Sequence, residues 1–260
     1  LNILHYDDWK DTDAVETMVY FLDAVMSDFI SKLEELRNSA DANDRRAFYF
    51  MERAYNFAKE NRALGLGVLG WHSYLQSKMI AFESLEANKI NTEIFRLIQN
   101  RSYAASKTLA QELGEPELLQ GYGRRNSTLN AIAPTTSSSF ILGQVSQSIE
   151  PIWSNCYVKD IDKMKVTIKN PSLEKILEEK SKNTQETWES IRVKDGSVQH
   201  LDFLSEAEKD VFKTFCEIDQ EAVIAQAASR QHFIDQSQSL NLMVNPQTPT
   251  KEINNLYINA

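Results

Sequence analysis

Steps of three and four between apolar residues predict that helices make up most of this chain. Over residues 11–36 these steps place the apolar side chains on one helical face. Asp11, Thr12 and Asp13 come just before this face, and short polar or acidic residues are common where a helix begins. We therefore expect a long amphipathic helix that packs its apolar side against the rest of the protein.

Further helices and a few short strands are predicted in the same way. The helices are expected over residues 44–61, from about Trp71, over 84–113 as one helix or a broken pair, and over 172–180, 184–193 and 207–231. Short apolar runs that are typical of buried strands cover residues 64–69, 127–133 and 237–244. Because long helical stretches separate these strands, the pattern favours an α/β arrangement over a sheet built of hairpins.

Composition narrows the class of protein. The 260 residues are enough for one large α/β domain or for part of a larger one. A formal net charge of −9 argues against general binding to nucleic acid or to an anionic membrane, because both require a basic face. No apolar run approaches the ~18 residues of a membrane span, and no signal peptide opens the chain. We expect a soluble, cytoplasmic protein.

The cysteines, histidines and paired glutamates of the sequence do not indicate a metal site or an acid–base catalytic site. Cys156 and Cys216 lie far apart with unrelated neighbours, so we expect reduced thiols rather than a disulfide or a metal site. The four histidines lack a ligand spacing, and His232 is expected in the core or behind a site. Adjacent glutamates at 34–35 and 178–179 fit solvated helix faces. The sequence predicts no metal ion and no cofactor bound by this chain.

Residues 65–70 satisfy the letters GxGxxG, which suggests a dinucleotide-binding turn. The glycines lie within an apolar strand-like run rather than after it, and no suitably placed acidic residue follows about 20 positions later. We therefore expect Gly65 and Gly67 to allow close backbone packing in a buried strand.

Residues 134–139 form a proline followed by a cluster of small hydroxyl residues, directly after a predicted strand. A strand, a turn and the start of a helix would direct backbone N–H groups and hydroxyls toward one point, which favours an anion such as phosphate. The other interpretation is a plain turn that caps a helix. The residues alone leave both open.

Several segments, in the same order along the chain, resemble the large (alpha, catalytic) subunit of class I ribonucleotide reductase. They are LGLGV at 64–68, RNSTLNAIAPTTSSS at 125–139, IEP at 149–151, Ser154-Asn155, and FIDQSQSLN at 233–241. The resemblance implies the C-terminal portion of a ten-stranded α/β barrel with large helical content. In this reading residues 1–61 are helical, and residues 62–260 supply barrel strands with helices.

The resemblance also implies a site. The family's substrate-diphosphate loop maps onto Pro134, Thr135, Thr136, Ser137 and Ser138. Many relatives carry a glutamate at the place of Thr136, which leaves the role of that one position open. No catalytic residue is expected here, because the family's Asn-x-Cys-x-Glu segment and its pair of adjacent tyrosines have no match in the sequence. We expect a fragment, or one piece of a split protein, that is inactive alone.

The expected function is a share in the radical-based reduction of ribonucleoside diphosphates to deoxyribonucleoside diphosphates for DNA synthesis. The implied partners are the part of the large subunit that carries the catalytic cysteines and a metal-containing small subunit that generates the radical. A thioredoxin- or glutaredoxin-type protein supplies the reductant. The alternative is a non-catalytic phosphate-ligand or scaffolding module derived from the same fold.

Overall fold

Helices dominate the computed structural model, which describes residues 1–161 and 164–260. Its α-helices are α1 (Tyr6–Trp9), α2 (Ala14–Asn38), α3 (Ala42–Asn61), α4 (Trp71–Ser77), α5 (Leu85–Leu113), α6 (Thr136–Ile141), α7 (Pro171–Glu179), α8 (Gln185–Val193), α9 (Glu206–Val211), α10 (Gln220–Gln231) and α11 (Thr250–Asn259). Within the described parts of the chain, no helix is both long enough and apolar enough to cross a lipid bilayer.

The long helices begin and end where local signals predict. In α5 the Ser84 side chain accepts a hydrogen bond from the backbone N–H of Ala87, and Gly114 ends the helix at a φ of +83°. The predicted segment 84–113 is therefore one continuous helix. In α2 the fully buried Val15 and Val19 face the main core, as the apolar periodicity requires.

Parallel pairing joins four short extended segments. Single bridges link Asn2 to Leu69, Leu66 to Asn130, and Ile132 to Gln238, so the order across the sheet is 1–3, 64–69, 128–132 and 237–239. The three predicted strands are therefore extended and pair in parallel. The amino-terminal residues add a fourth segment, so the range 1–61 is not entirely helical.

Gly67 lets two of these segments approach closely. An added Cβ at this position would lie 2.5 Å from the carbonyl oxygen of Ala131, far inside van der Waals contact. This agrees with the close-packing interpretation of the GxGxxG letters, since the glycines lie in the paired segment and not in a turn after it.

The structure adds one element and corrects one prediction. Strands β1 (Cys156–Ile161) and β2 (Met164–Lys169) pair in antiparallel orientation in a region where no strand was predicted. The predicted helix over 207–231 is interrupted between α9 and α10, where Phe212 and Phe215 are fully buried. The apolar periodicity continues through this break, but the two phenylalanines pack into different clusters, which one straight helix could not achieve.

The core consists of a large cluster around the parallel segments and a second cluster that contains Cys156, Trp188 and Phe212. Trp71 and Trp188 are buried, whereas Trp153 is half-exposed. His232 is exposed, so the expectation of a core or supporting position is wrong. His72 is the fully buried histidine, and it lies edge-on to Phe82.

Candidate functional site

The hydroxyl-rich loop follows the extended segment that ends near Ile132. Ile132 pairs in parallel with Gln238, so the loop and the residues after Gln238 leave the same edge of the sheet. Ligands of α/β proteins bind at this carboxyl edge of parallel strands. Pro134 is exposed, and Thr135 turns the chain at a φ of +53° before α6 begins at Thr136.

Two hydroxyls of the loop are used to hold its shape. Thr135 Oγ1 accepts a hydrogen bond from the backbone N–H of Ser148 at 2.8 Å and lies 2.9 Å from Ser139 Oγ. Ser139 Oγ donates to the backbone oxygen of Thr135 at 2.7 Å, and Ser139 is buried. Sequence reasoning gave Thr135 a ligand role and left out Ser139. The four-residue spacing of these hydroxyls was the available signal, because it places them on one side of a helical turn.

The remaining hydroxyls face outward. Thr136, Ser137 and Ser138 are exposed, and Thr136 Oγ1 donates to Gln147 Oε1 at 3.2 Å. Within the described residues, the hydroxyls of Ser137 and Ser138 and the backbone N–H groups of 136–138 have no hydrogen-bond partner. The loop therefore presents a small group of unused donors at the start of a helical turn.

Strained backbone surrounds the loop. Thr135, Gln144 and Ser148 all adopt the left-handed conformation, with φ values of +53°, +56° and +48°. Residues other than glycine avoid this region, and such strain collects at ligand sites where neighbouring contacts enforce it. Here the enforcing contacts are the Thr135–Ser148 hydrogen bond and a bond from the backbone N–H of Val145 to the Ser139 carbonyl at 3.2 Å.

Residues 144–152 form the wall behind the loop and attach it to α4. The backbone N–H of Gly70 donates to the Ser146 carbonyl at 2.9 Å, and Ser73 and Ser146 exchange side chain–backbone hydrogen bonds. At the end of the wall the backbone N–H of Ile152 donates to His72 Nδ1 at 2.9 Å. Burial lowers the pKa of His72 to about 3, which keeps its ring neutral and able to accept this bond.

Glu150 of the IEP motif lies in this wall and is 3% exposed. Its Oε1 accepts a hydrogen bond from the side-chain amide of Asn241, which belongs to the FIDQSQSLN motif. Burial raises the pKa of the Glu150 carboxyl, and the hydrogen bond from Asn241 opposes this shift only in part. Two motifs that are distant in sequence therefore meet beside the loop.

Arg125 is near the loop in sequence, but its side chain binds elsewhere. Arg125 Nε donates to Asp23 Oδ2 at 2.9 Å, and Arg62 Nε donates to Asp23 Oδ1 at 2.9 Å. Burial alone would raise the pKa of Asp23, but the hydrogen bonds from both arginines outweigh it and lower that pKa. This buried cluster lies at the amino end of the extended segment 128–132, opposite the end where the loop begins. It ties α2 to the sheet.

Thiols and metal ligands are not gathered at the loop. Cys156 is buried in the second cluster, Cys216 is exposed, and both are free of disulfides. Burial raises the pKa of Cys156, which suppresses the reactive thiolate. Across residues 1–161 and 164–260 no group of three or more histidine, cysteine or carboxylate side chains could hold a metal ion.

The comparison with protein families decides the class of this chain. The family model described as "Ribonucleotide reductase, barrel domain" matches residues 3–119 and 116–260. The chain belongs to this family. The expected fold class is thereby confirmed as part of the ribonucleotide reductase barrel, and the suspected resemblance to the large subunit is confirmed as well.

Individual relatives agree. The ribonucleoside-diphosphate reductase large subunit of Invertebrate iridescent virus 6 is 40% identical over 265 residues, covering the whole chain and 26% of the viral protein. The same subunit of Invertebrate iridescent virus 3 is 38% identical, with 40% of its length covered. The Actinobacillus ureae class Id ribonucleotide reductase alpha subunit superposes with a TM-score of 0.88 at 53% identity, over 99% of this chain and 45% of that one. The chain thus spans less than half of each of these relatives.

Proposed function

We propose that this chain is the part of a ribonucleoside-diphosphate reductase large subunit that binds the diphosphate of the substrate. The residues of the proposed substrate-binding loop are Pro134, Thr135, Thr136, Ser137 and Ser138. They have two roles. Ser137, Ser138 and the backbone N–H groups of 136–138 donate to the phosphate oxygens. Pro134 and Thr135 shape the turn.

The unused donors carry this proposal. Hydrogen bonds from hydroxyl and amide groups to a charged oxygen are shorter and stronger than those between neutral groups, so a few of them hold a diphosphate without a lysine or arginine. Thr135 and Ser139 use their hydroxyls within the fold to hold the turn. The outward hydroxyls of Ser137 and Ser138 serve no such purpose among the described residues.

The chemical step takes place on groups outside this chain. The thiols here do not suit it, since Cys156 is buried and Cys216 stands alone on the surface. The catalytic cysteines belong to the remaining part of the large subunit, and a metal-containing small subunit generates the radical. A thioredoxin- or glutaredoxin-type protein restores the thiols. What this chain does is hold the substrate by its diphosphate so that the ribose meets those thiols.

The other partners follow from the same assignment. The substrate is a ribonucleoside diphosphate, the product supplies DNA synthesis, and the assembly is an oligomer in the cytoplasm. The net charge of −9 fits a protein that binds neither nucleic acid nor an anionic membrane surface. The chain is one segment of the barrel domain, to which residues 62–260 contribute barrel strands with helices.

A non-catalytic phosphate-binding or scaffolding module is the second candidate, and the lack of an Asn-x-Cys-x-Glu segment in the sequence favours it. Reduction of a ribonucleoside diphosphate separates the two. The chain is assayed with and without a companion chain that bears the catalytic cysteines, in the presence of a radical-generating small subunit. Activity only in the mixture supports the reductase. A folded chain without activity in any combination supports the module.

A further inference from the structure

The hydrogen bond between Glu150 and Asn241 connects residues that are 91 positions apart in sequence. Glu150 is buried and Asn241 is largely exposed, so the amide closes over a carboxyl that is otherwise shielded from water. No lysine, arginine or histidine pairs with Glu150 among the described residues. A buried carboxyl that receives a side-chain hydrogen bond only from an amide is costly if it serves stability alone.

Short covalent and hydrogen-bonded paths lead from Glu150 to the loop. The backbone N–H of Glu150 donates to the Gln147 carbonyl at 2.8 Å, and the side chain of Gln147 accepts from Thr136. Ser148, two residues before Glu150, donates its N–H to Thr135 Oγ1. The turn at 147–150 therefore touches both residues with which α6 begins.

Asn241 reaches the same place from another segment. It lies three residues after Gln238, which pairs with Ile132, and Ile132 lies two residues before Pro134. Parallel pairing brings the residues that follow Gln238 and Ile132 to one edge of the sheet. The Glu150–Asn241 bond thus connects the wall behind the loop to the segment beside it.

We propose that Glu150 and Asn241 are positioning residues that hold the left-handed turns of the loop wall and so keep the donors of 136–138 aimed at a diphosphate. This inference rests on the proposed function and adds two residues that do not touch the substrate. The strained backbone at Thr135, Gln144 and Ser148 needs such support, because without it the turns would relax to ordinary conformations.

The chemistry of the pair explains why an amide faces the carboxyl. An arginine or lysine opposite Glu150 would also attract the phosphates and would compete with the loop for them. The amide of Asn241 donates to the carboxyl without placing a cation beside the loop. The pair can therefore fix the geometry of the wall without drawing the phosphates away from the donors of residues 136–138.

The test uses the full-length large subunit with its small subunit. The variants Glu150→Ala and Asn241→Ala each remove the bond, and each is expected to raise KM for the ribonucleoside diphosphate about tenfold, while kcat changes less than about twofold. Glu150→Gln keeps an oxygen that accepts from Asn241, and we expect its KM to stay within about twofold of the parent value. The double variant is expected to resemble the single ones, because both remove the same bond.

A second Asn–Glu pair provides the matched control. Asn183 Nδ2 donates to Glu178 Oε1 at 3.2 Å on an exposed surface of α7. Glu178→Ala removes a bond of the same kind away from the loop and is expected to leave KM unchanged; Asn183 itself is kept, because its Oδ1 also accepts a hydrogen bond from Trp188 Nε1 at 2.6 Å. Equilibrium binding of the diphosphate nucleotide, measured by calorimetry without the small subunit, separates affinity from turnover.

The outcomes distinguish this inference from the function on which it rests. If Ser137→Ala and Ser138→Ala weaken nucleotide binding but the Glu150 and Asn241 variants do not, the positioning inference is wrong and the diphosphate loop stands. If none of these variants alters binding, the diphosphate loop itself is wrong. A loss of kcat at constant KM, or failure of Glu150→Gln to rescue, also overturns the inference. Should Glu150→Ala fail to fold, the exposed Asn241→Ala decides the question.

Discussion

Thr135 Oγ1 accepts a 2.8 Å hydrogen bond from the backbone N–H of Ser148, and both residues adopt the left-handed conformation. The hydroxyl of Thr135 therefore stabilises two strained turns at once. Since Ser148 is 1% exposed, its N–H has no access to water as a substitute partner. This bond joins the candidate diphosphate loop to the wall that carries Glu150.

Replacing Thr135 by valine tests that bond. Valine keeps the shape of threonine but leaves the Ser148 N–H unsatisfied, which we expect to lower the free energy of unfolding by about 1–3 kcal/mol. Thr135→Ser retains the hydroxyl and is expected to lower the free energy of unfolding less than valine does. Urea denaturation of the chain measures both variants. Equal stabilities for valine and serine would show that the hydrogen bond contributes nothing.

Replacing Ser137 and Ser138 by alanine tests the outward hydroxyls. Loss of donors to a charged oxygen is expected to weaken binding of a ribonucleoside diphosphate by roughly 1–3 kcal/mol, with little effect on stability because both side chains are exposed. Ser31→Ala, an exposed serine on α2, makes the same chemical change elsewhere. The readout is the Michaelis constant of the reconstituted enzyme. A constant that does not change would mean that residues 134–139 are only a turn.

Gly67→Ala tests the close approach within the sheet. The added methyl group would meet the Ala131 carbonyl oxygen at 2.5 Å, and backbone cannot move aside as a flexible side chain can. We expect a loss of about 1–3 kcal/mol in the free energy of unfolding. Gly65→Ala is the comparison, because its Cβ would meet the Ala131 Cβ at 3.3 Å, a tight but milder contact. Urea midpoints in the reverse order would contradict the close-packing interpretation.

The burial of His72 predicts that the free energy of unfolding depends on pH. Burial lowers its pKa from 6.5 to about 3, so between these values the unfolded chain binds a proton that the folded chain does not. Above pH 6.5 the neutral His72 therefore does not reduce the free energy of unfolding. As the pH drops from 6.5 toward about 3, this group lowers the free energy of unfolding by at most ~1.4 kcal/mol per pH unit.

The variant His72→Asn isolates this contribution. An asparagine Oδ1 can replace His72 Nδ1 as acceptor for the Ile152 N–H but does not titrate. Unfolding free energies of both proteins between pH 7 and pH 4 provide the measurement. We expect the variant to be less stable at pH 7 and to lose less stability on acidification. Parallel pH profiles would show that His72 is not held neutral by the fold.

Local sequence determined the long helices. In α5 a serine cap, continuous apolar periodicity and a terminal glycine act within a few residues of one another, so no distant contact is needed to place its ends. The same holds for the loop as a turn, since proline and hydroxyl residues restrict the backbone locally. Motifs in family order also identified the barrel, because that comparison uses the whole chain.

Only the tertiary structure decided how these pieces are used. The periodicity of residues 207–231 runs on through Phe212 and Phe215, and the helix breaks there because the two side chains enter different parts of the core. The division of the loop hydroxyls, with Thr135 and Ser139 inward and Ser137 and Ser138 outward, depends on Ser148 from the wall. Glu150 and Asn241 meet across 91 residues. Contacts of this kind leave no local pattern, because their energy appears only when distant segments are packed together.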